Sequence, residues 1–169
     1  MNVLETPRLV LRQLAAGDAT FILELLNDPT WLRFIGDRGV KTLDEARAYI
    51  QNGPVASYAK HGFGLWLVAR QADQVSVGIC GLIQRDTLED VDVGFAFLQR
   101  FQGQGYGVES AAATLAHGRD RLGLKRIVAV TQPDNAGSIR VLEKLGLCYE
   151  KMVQLSPTAP TIKLFGINF

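Results

Sequence analysis

The segment Gln102-Gly103-Gln104-Gly105-Tyr106-Gly107 carries the residue types needed to hold an anion. It lies between an aromatic-rich run, Val91 to Leu98, and a helical pattern from about Val108 to Leu122. Backbone N–H groups and the positive end of a helix can therefore converge on a phosphate there. Side chains in place of the glycines would keep a pyrophosphate away from the backbone, although a Gly-rich turn can also be only a tight connection. Two nucleotide motifs are disfavoured. The fingerprint G-x-G-x-x-G needs glycine where Val108 stands, and the P-loop needs Gly-Lys-Ser/Thr, which does not occur.

Other reactive types are sparse. Cys80 and Cys148 form no CxxC pair, which argues against a zinc site or disulfide framework and reads as two buried free thiols. His61 and His117 stand alone and read as packing or surface residues. Glu109, in the first turn after the glycines, is a candidate base, but the helix dipole alone also favours a carboxylate there. Asn135 suits an N-cap. No metal is expected.

The elements that position these residues fit one domain. A chain of 169 residues, 47% hydrophobic and 21% charged, can bury a single core, and no linker or repeat divides it. Its net charge of +1 supplies no field for nucleic acid or an anionic membrane. No apolar run approaches the roughly 20 residues of a membrane helix, and Met1 to Leu14 lacks the core of a signal peptide, so a cytoplasmic protein is expected.

Arg8 to Leu14 alternates as a strand. Asp18 can cap a helix bearing Phe21, Ile22, Leu25 and Leu26, with Asn27-Asp28-Pro29 ending it, and Thr42 with Glu45 forms a capping box for a second helix. Phe63 to Ala69, Ser76 to Gln84 and Val91 to Leu98 read as hairpin-linked strands. After the glycine loop and its helix come a strand at Lys125 to Thr131, a helix from Asp134-Asn135 stopped by Gly146, and strands at Leu147 to Leu155 and Ile162 to Phe169. This order predicts an α/β (α+β) fold with a mixed, mostly antiparallel twisted sheet of about six or seven strands and helices on both faces.

The loop spacing fits Q/R-x-x-G-x-G/A through Gln102, Gly105 and Gly107, and here the chain resembles the GNAT acetyltransferases. Asn135, Ser138, Lys144 and Gly146 are similar to that family's N-x-x-S-x-x-x-x-x-K-x-G helix. Val93-Gly94-Phe95, Gly105-Tyr106-Gly107 with Glu109, and Ser138 look most like the branch that acetylates ribosomal-protein N-terminal alanine or serine.

The resemblance implies one N-acetyltransferase domain over residues 1–169 that uses acetyl-CoA as donor and a primary amine as acceptor, compatible with a homodimer. It implies a splayed central strand pair, with the backbone of Phe97 and Leu98 meeting the pantetheine arm. The pyrophosphate would lie on the amides of Gln102, Gly103, Gln104, Gly105, Tyr106 and Gly107, and the thioester beside Asn135 and Ser138. Many relatives protonate the leaving thiolate with a tyrosine at the position of Leu142. Ser138 is the substitute, unless its hydroxyl only bonds the start of the helix.

Asp92 stands where relatives often carry a glutamate base, and Trp31, Arg33, Phe34 and Arg38 lie where relatives shape the acceptor pocket. A peptide N terminus, a small-molecule amine such as an amino acid, polyamine or antibiotic, and a non-catalytic acyl-CoA sensor all remain open.

Overall fold

The run Leu65–Arg70 is buried on both faces, with Trp66 and Val68 on one and Leu67 on the other, so the strand it forms needs cover on two sides. The computed structural model, which describes residues 2–169, supplies that cover. The strands are β1 (Asn2–Glu5), β2 (Leu9–Arg12), β3 (Leu65–Arg70), β4 (Ser76–Ile83), β5 (Asp92–Phe97), β6 (Arg126–Thr131), β7 (Cys148–Val153) and β8 (Ile162–Asn168). They form one sheet of eight in the order β1-β2-β3-β4-β5-β6-β8-β7.

Helices α1 (Ala19–Leu26), α2 (Pro29–Phe34) and α3 (Leu43–Ile50) bury Ile22, Leu25, Trp31 and Ile50 against Leu67, Ile79 and Leu98. Helices α5 (Tyr106–Asp120) and α6 (Ala136–Lys144) bury Tyr106, Leu115 and Leu142 on the other face, against Trp66, Leu82 and Phe97. Between the two groups, α4 (Ala56–His61) follows α3 through a wider π turn, Gln51–Val55, that accommodates Pro54.

The N-terminal third departs from expectation in ways with local causes. A short strand, β1, precedes the expected one, giving eight strands. Asp28 and Pro29 start a helix instead of only ending one: the Asp28 carboxylate accepts from Thr30 N at 3.0 Å, and Pro29 fits the first turn, where no amide donor is needed. Asp18 does not cap α1 with its side chain, because its carboxylate is engaged by Ala15 N at 2.9 Å and by the Arg12 guanidinium at 2.8 Å. Thr42 does cap α3, accepting from Glu45 N at 3.1 Å, and Gly146 takes φ +91 after α6. Cys80 is buried as expected, but Cys148 is exposed on β7, an edge strand with little cover.

Two connections matter for the centre of the molecule. Every neighbouring strand pair is antiparallel except β5 and β6, which run parallel and share one register pair, Asp92 with Val128. Beyond that pair the strands diverge. The second connection is Glu109, whose carboxylate accepts from Thr6 Oγ1 at 2.5 Å, Arg8 N at 3.0 Å and Arg8 Nε at 2.7 Å. It ties the β1–β2 turn to the first turn of α5.

Partial burial pushes the Glu109 carboxyl up, but the bonds from Thr6 and Arg8 together hold it below the usual glutamate range. A depressed folded-state pKa adds stability that is present above the unfolded value and lost as pH falls through the folded one. Glu109→Gln should therefore lower Tm at neutral pH by roughly 3–6 °C, for about 1–2 kcal/mol of lost charged hydrogen bonding. The difference from wild type should shrink below about pH 4. Thermal melts across pH would measure this, and a constant offset at all pH values would refute the tether.

Candidate active site

The glycine loop has the geometry that its composition predicts. Gly103 and Gly105 take φ +75 and +84, a left-handed conformation that side chains disfavour, and α5 begins at Tyr106. The Gln102 amide donates to Gln99, and Glu109 N is the first to close a bond onto the loop, to Gly105 O at 3.1 Å. The amides from Gly103 to Val108 have no protein acceptor among the described residues. They form a concave, donor-rich anion site of the nest type. Arg8 adds charge beside it, bonding Gln104 O at 2.9 Å and lying 4.8 Å above the Tyr106 ring.

The register of β5 decides which of its backbone groups are free. Leu98 N donates to Val77 O at 3.0 Å, so alternation along the antiparallel ladder turns the even-numbered residues of β5 toward β4. The odd-numbered ones face β6, as Val91 O does in accepting from Val128 N at 3.0 Å. Phe95 and Phe97 therefore present main-chain groups to the gap where β6 has moved away. Gln102 Nε2 occupies the Phe97 carbonyl at 3.0 Å. Leu98 does not fit its expected role, since its amide is bound to β4 and its side chain is fully buried under the first helices. The groups suited to an incoming chain are Phe95 N–H and C=O and Phe97 N–H.

The gap is a cleft of about 720 Å³, lined by Gly94 to Phe97, the glycine loop without Gln104, and Asn135, Ser138 and Leu142. Gly94, Phe95 and Ala96 are half-buried in a strand that lies deep in the sheet order. Asn135 Oδ1 caps α6 by accepting from Ser138 N at 3.2 Å. The Ser138 hydroxyl makes no hydrogen bond among the described residues, so its bland helix-start role is not realised. Leu142, at 1% exposure, offers no proton.

Asp92 is 1% exposed, at the closed end of the cleft. Burial pushes its carboxyl up, opposed by Arg85, whose Nε lies 3.1 Å from Oδ1. Alternation puts Asp92 on the same side of β5 as Gly94 and Ala96, facing the first helices. Glu109 does not line the cleft, and its carboxylate is committed to Thr6 and Arg8, an arrangement that does not suit a base. Cys80 is also unsuited to reaction, since complete burial pushes its thiol up to about 11.

Trp31, Phe34, Arg38 and Tyr49 line the cleft beside Asp92 and Arg85. Arg33 turns outward to an exposed contact with Asp134 at 4.0 Å. Asp28 holds this wall in place, accepting from Gln99 N at 3.0 Å through the oxygen that does not cap α2. Sequence reasoning missed Arg85 and Tyr49. The hairpin pairing Ile83 with Asp92 brings Arg85 onto the carboxylate, whereas Tyr49 reads as part of a helix's apolar face. His61 stacks on Phe63 and His117 meets the edge of Trp66, both as packing residues. Among the described residues, no cluster of His, Cys, Asp or Glu could hold a metal, and no helix is long and apolar enough to cross a membrane.

Known proteins share this family and this fold. Residues 8–147 match the family described as the acetyltransferase (GNAT) domain. The Bacillus subtilis (strain 168) protein YkkB is 30% identical over 154 residues, covering 89% of this chain and 88% of that protein. The N-acetyltransferase YoaA of the same organism is 28% identical, covering 90% and 86%.

Among solved structures, a GNAT-family acetyltransferase from Bacillus anthracis superposes with a TM-score of 0.81 at 23% identity, covering 99% of this chain and 98% of that one. RimL, a ribosomal L7/L12 alpha-N-protein acetyltransferase solved in complex with coenzyme A, superposes at 0.85 and 18% identity, covering 99% and 98%. With a family match across most of its length, a sheet opened at one parallel pair and a free-amide loop at the head of α5, the chain belongs to the GNAT acetyltransferases.

Proposed function

We propose that this chain transfers the acetyl group of acetyl-CoA to a primary amine by direct attack, with both substrates in the cleft. The observation that carries this reading is the pairing of six unbonded loop amides with unbonded main-chain groups on β5, since a pyrophosphate and an amide-bearing arm fit them in sequence. The likeness to RimL supports a peptide N terminus as acceptor, and the open cleft also admits a small amine.

Acetyl-CoA supplies the activated carbonyl and the thiolate leaving group. The amine forms a C–N bond as the C–S bond breaks. The Phe95 main-chain N–H donates to the carbonyl oxygen as it gains charge, and the Phe97 N–H is left to the arm. Asp92 takes the amine proton, and its burial requires water to carry that proton across. Ser138, with an unengaged hydroxyl, delivers a proton to the departing sulfur and regains one from water. Asp92 returns the amine proton to solvent, so the free thiol and the acetylated amine leave a restored site.

The loop assignment is tested with Gly105→Val, which forces a side chain into left-handed backbone beside Arg8 Nη2, 3.1 Å from the position of a Cβ. Calorimetry should show acetyl-CoA binding weakened at least about 100-fold, on the scale of losing several charged hydrogen bonds, with the fold retained. Wild-type affinity in the variant would refute the site, and tighter binding of NAD or ATP by the wild type would replace the donor.

Asp92→Asn should lower kcat/KM and remove the acid limb of its pH profile. Stability should behave oppositely. A carboxyl raised in the fold costs stability at every pH above its unfolded value, so Tm at neutral pH should not fall, with half-buried Arg85 still reached by solvent. A lower Tm with an unchanged acid limb would make Asp92 purely structural.

Ser138→Ala should reduce kcat by about 100-fold with little change in KM or Tm, the signature of a donor that acts in the transition state. Normal kcat in the folded variant would assign the proton to water.

A further inference from the structure

The charges lining the cleft are unequal. Asp92 is the one acid among them, against Arg38, Arg85, Arg140 and Lys144. Arg140 and Lys144 lie on α6, near the residues assigned to the thioester. Arg38 and Arg85 belong to the other end. Asp92, which Arg85 contacts, begins β5, and the phosphate loop follows its last residue, roughly 17 Å away along the strand at 3.3–3.4 Å per residue. A donor held on the loop therefore leaves these two guanidinium groups to the acceptor.

Their hydrogen-bonding capacity is open. Arg38 makes no ion pair or side-chain hydrogen bond among the described residues, and its neighbour Asp37 is taken by Gly39 N at 2.8 Å and Lys41 Nζ at 3.3 Å. Arg85 directs Nε and Nη2 at Asp92 and leaves Nη1 without a partner among the described residues. In the same cleft, the half-buried Tyr49 hydroxyl has no hydrogen-bond partner among the described residues. Burial pushes that phenol up, while the positive charges of Arg38 and Arg85 both pull it down. Trp31, Phe34 and Phe95 form the apolar wall.

Resting on the acetyl-transfer reading above, we propose that the acceptor is a primary amine that also carries a carboxylate, seated by Arg38, the free edge of Arg85 and the Tyr49 hydroxyl. Guanidinium groups match a carboxylate in geometry and charge. The same two cations disfavour an ammonium and help the acceptor nitrogen lose its proton, and they work against polyamines and other polycationic acceptors. Either a free amino acid or a peptide with an acidic residue beside its N terminus carries this chemistry.

Thiol release from acetyl-CoA is measured for wild type and Arg38→Gln with amino acids against their carboxamides, peptides bearing Asp against Asn at the second position, and spermidine. Arg38 is exposed and unpartnered, so the variant is expected to fold, which its Tm checks. Wild type should favour a carboxylate over its neutral counterpart by about tenfold or more in kcat/KM, chiefly through KM, and Arg38→Gln should bring the ratio within about twofold. Preference among free amino acids or among acidic peptides identifies the source.

Preference for carboxamides or spermidine, or an unchanged ratio in Arg38→Gln, overturns the proposal. Calorimetry of the N-acetylated carboxylate and carboxamide on CoA-loaded protein judges it independently of turnover, and equal affinities also overturn it. Selective carboxylate binding without transfer to any amine would uphold the carboxylate seat alone and refute the acetyl-transfer reading on which the acceptor assignment rests.

Discussion

A single parallel bridge, Asp92 opposite Val128, joins the two halves of the sheet, and the cleft exists because the pairing stops there. A continuous ladder between β5 and β6 would engage the main-chain groups of Phe95 and Phe97 and close the molecule. Instead the halves are held apart by packing. β5 is fixed along its whole length to β4, and β6 along its whole length to β8. The helices α5 and α6 bury Leu115 and Leu142 across the seam. The open polar groups at the centre of the sheet are tolerated because the cleft gives them access to water.

The same bridge residue carries the buried carboxylate. An acid at 1% exposure is costly even beside a guanidinium, and replacing such a pair with apolar residues is often neutral or favourable. Its position under a wall of Trp31, Phe34 and Tyr49 fits the proton transfer proposed for it, which stability alone does not call for. Glu109 is the contrasting case. It is an acid of similar sequence prominence whose bonds to Thr6 and Arg8 make it a structural clamp between the first hairpin and the glycine loop.

Features governed by local backbone chemistry were legible in the sequence. The glycines at 103, 105 and 146 fall where φ is positive, and Thr42 and Asn135 cap the helices they precede. Features that depend on register were not. Leu98 and Phe97 look equivalent along the chain, and only the pairing with Val77 shows that one amide is engaged and the other free. Arg85 and Tyr49 acquire meaning only when a hairpin and a helix bring them to Asp92. Asp28-Pro29 reads along the chain as a stop, and the structure also uses it as a start because the Asp28 side chain finds Thr30 and Gln99. β1 was missed because its four residues are short and poorly buried.

The alternation along β5 has a consequence for deuterium uptake. In most central strands protection from exchange is nearly uniform, since every amide is locked into a ladder on one side or the other. Here Gly94 and Ala96 are bonded to β4, while the amides of Phe95 and Phe97 open onto solvent in the cleft. Labelling of this one strand would therefore alternate residue by residue, slow and fast. Anything that laid its own main chain into the gap would erase the alternation and turn an interior strand into a residue-resolved gauge of occupancy.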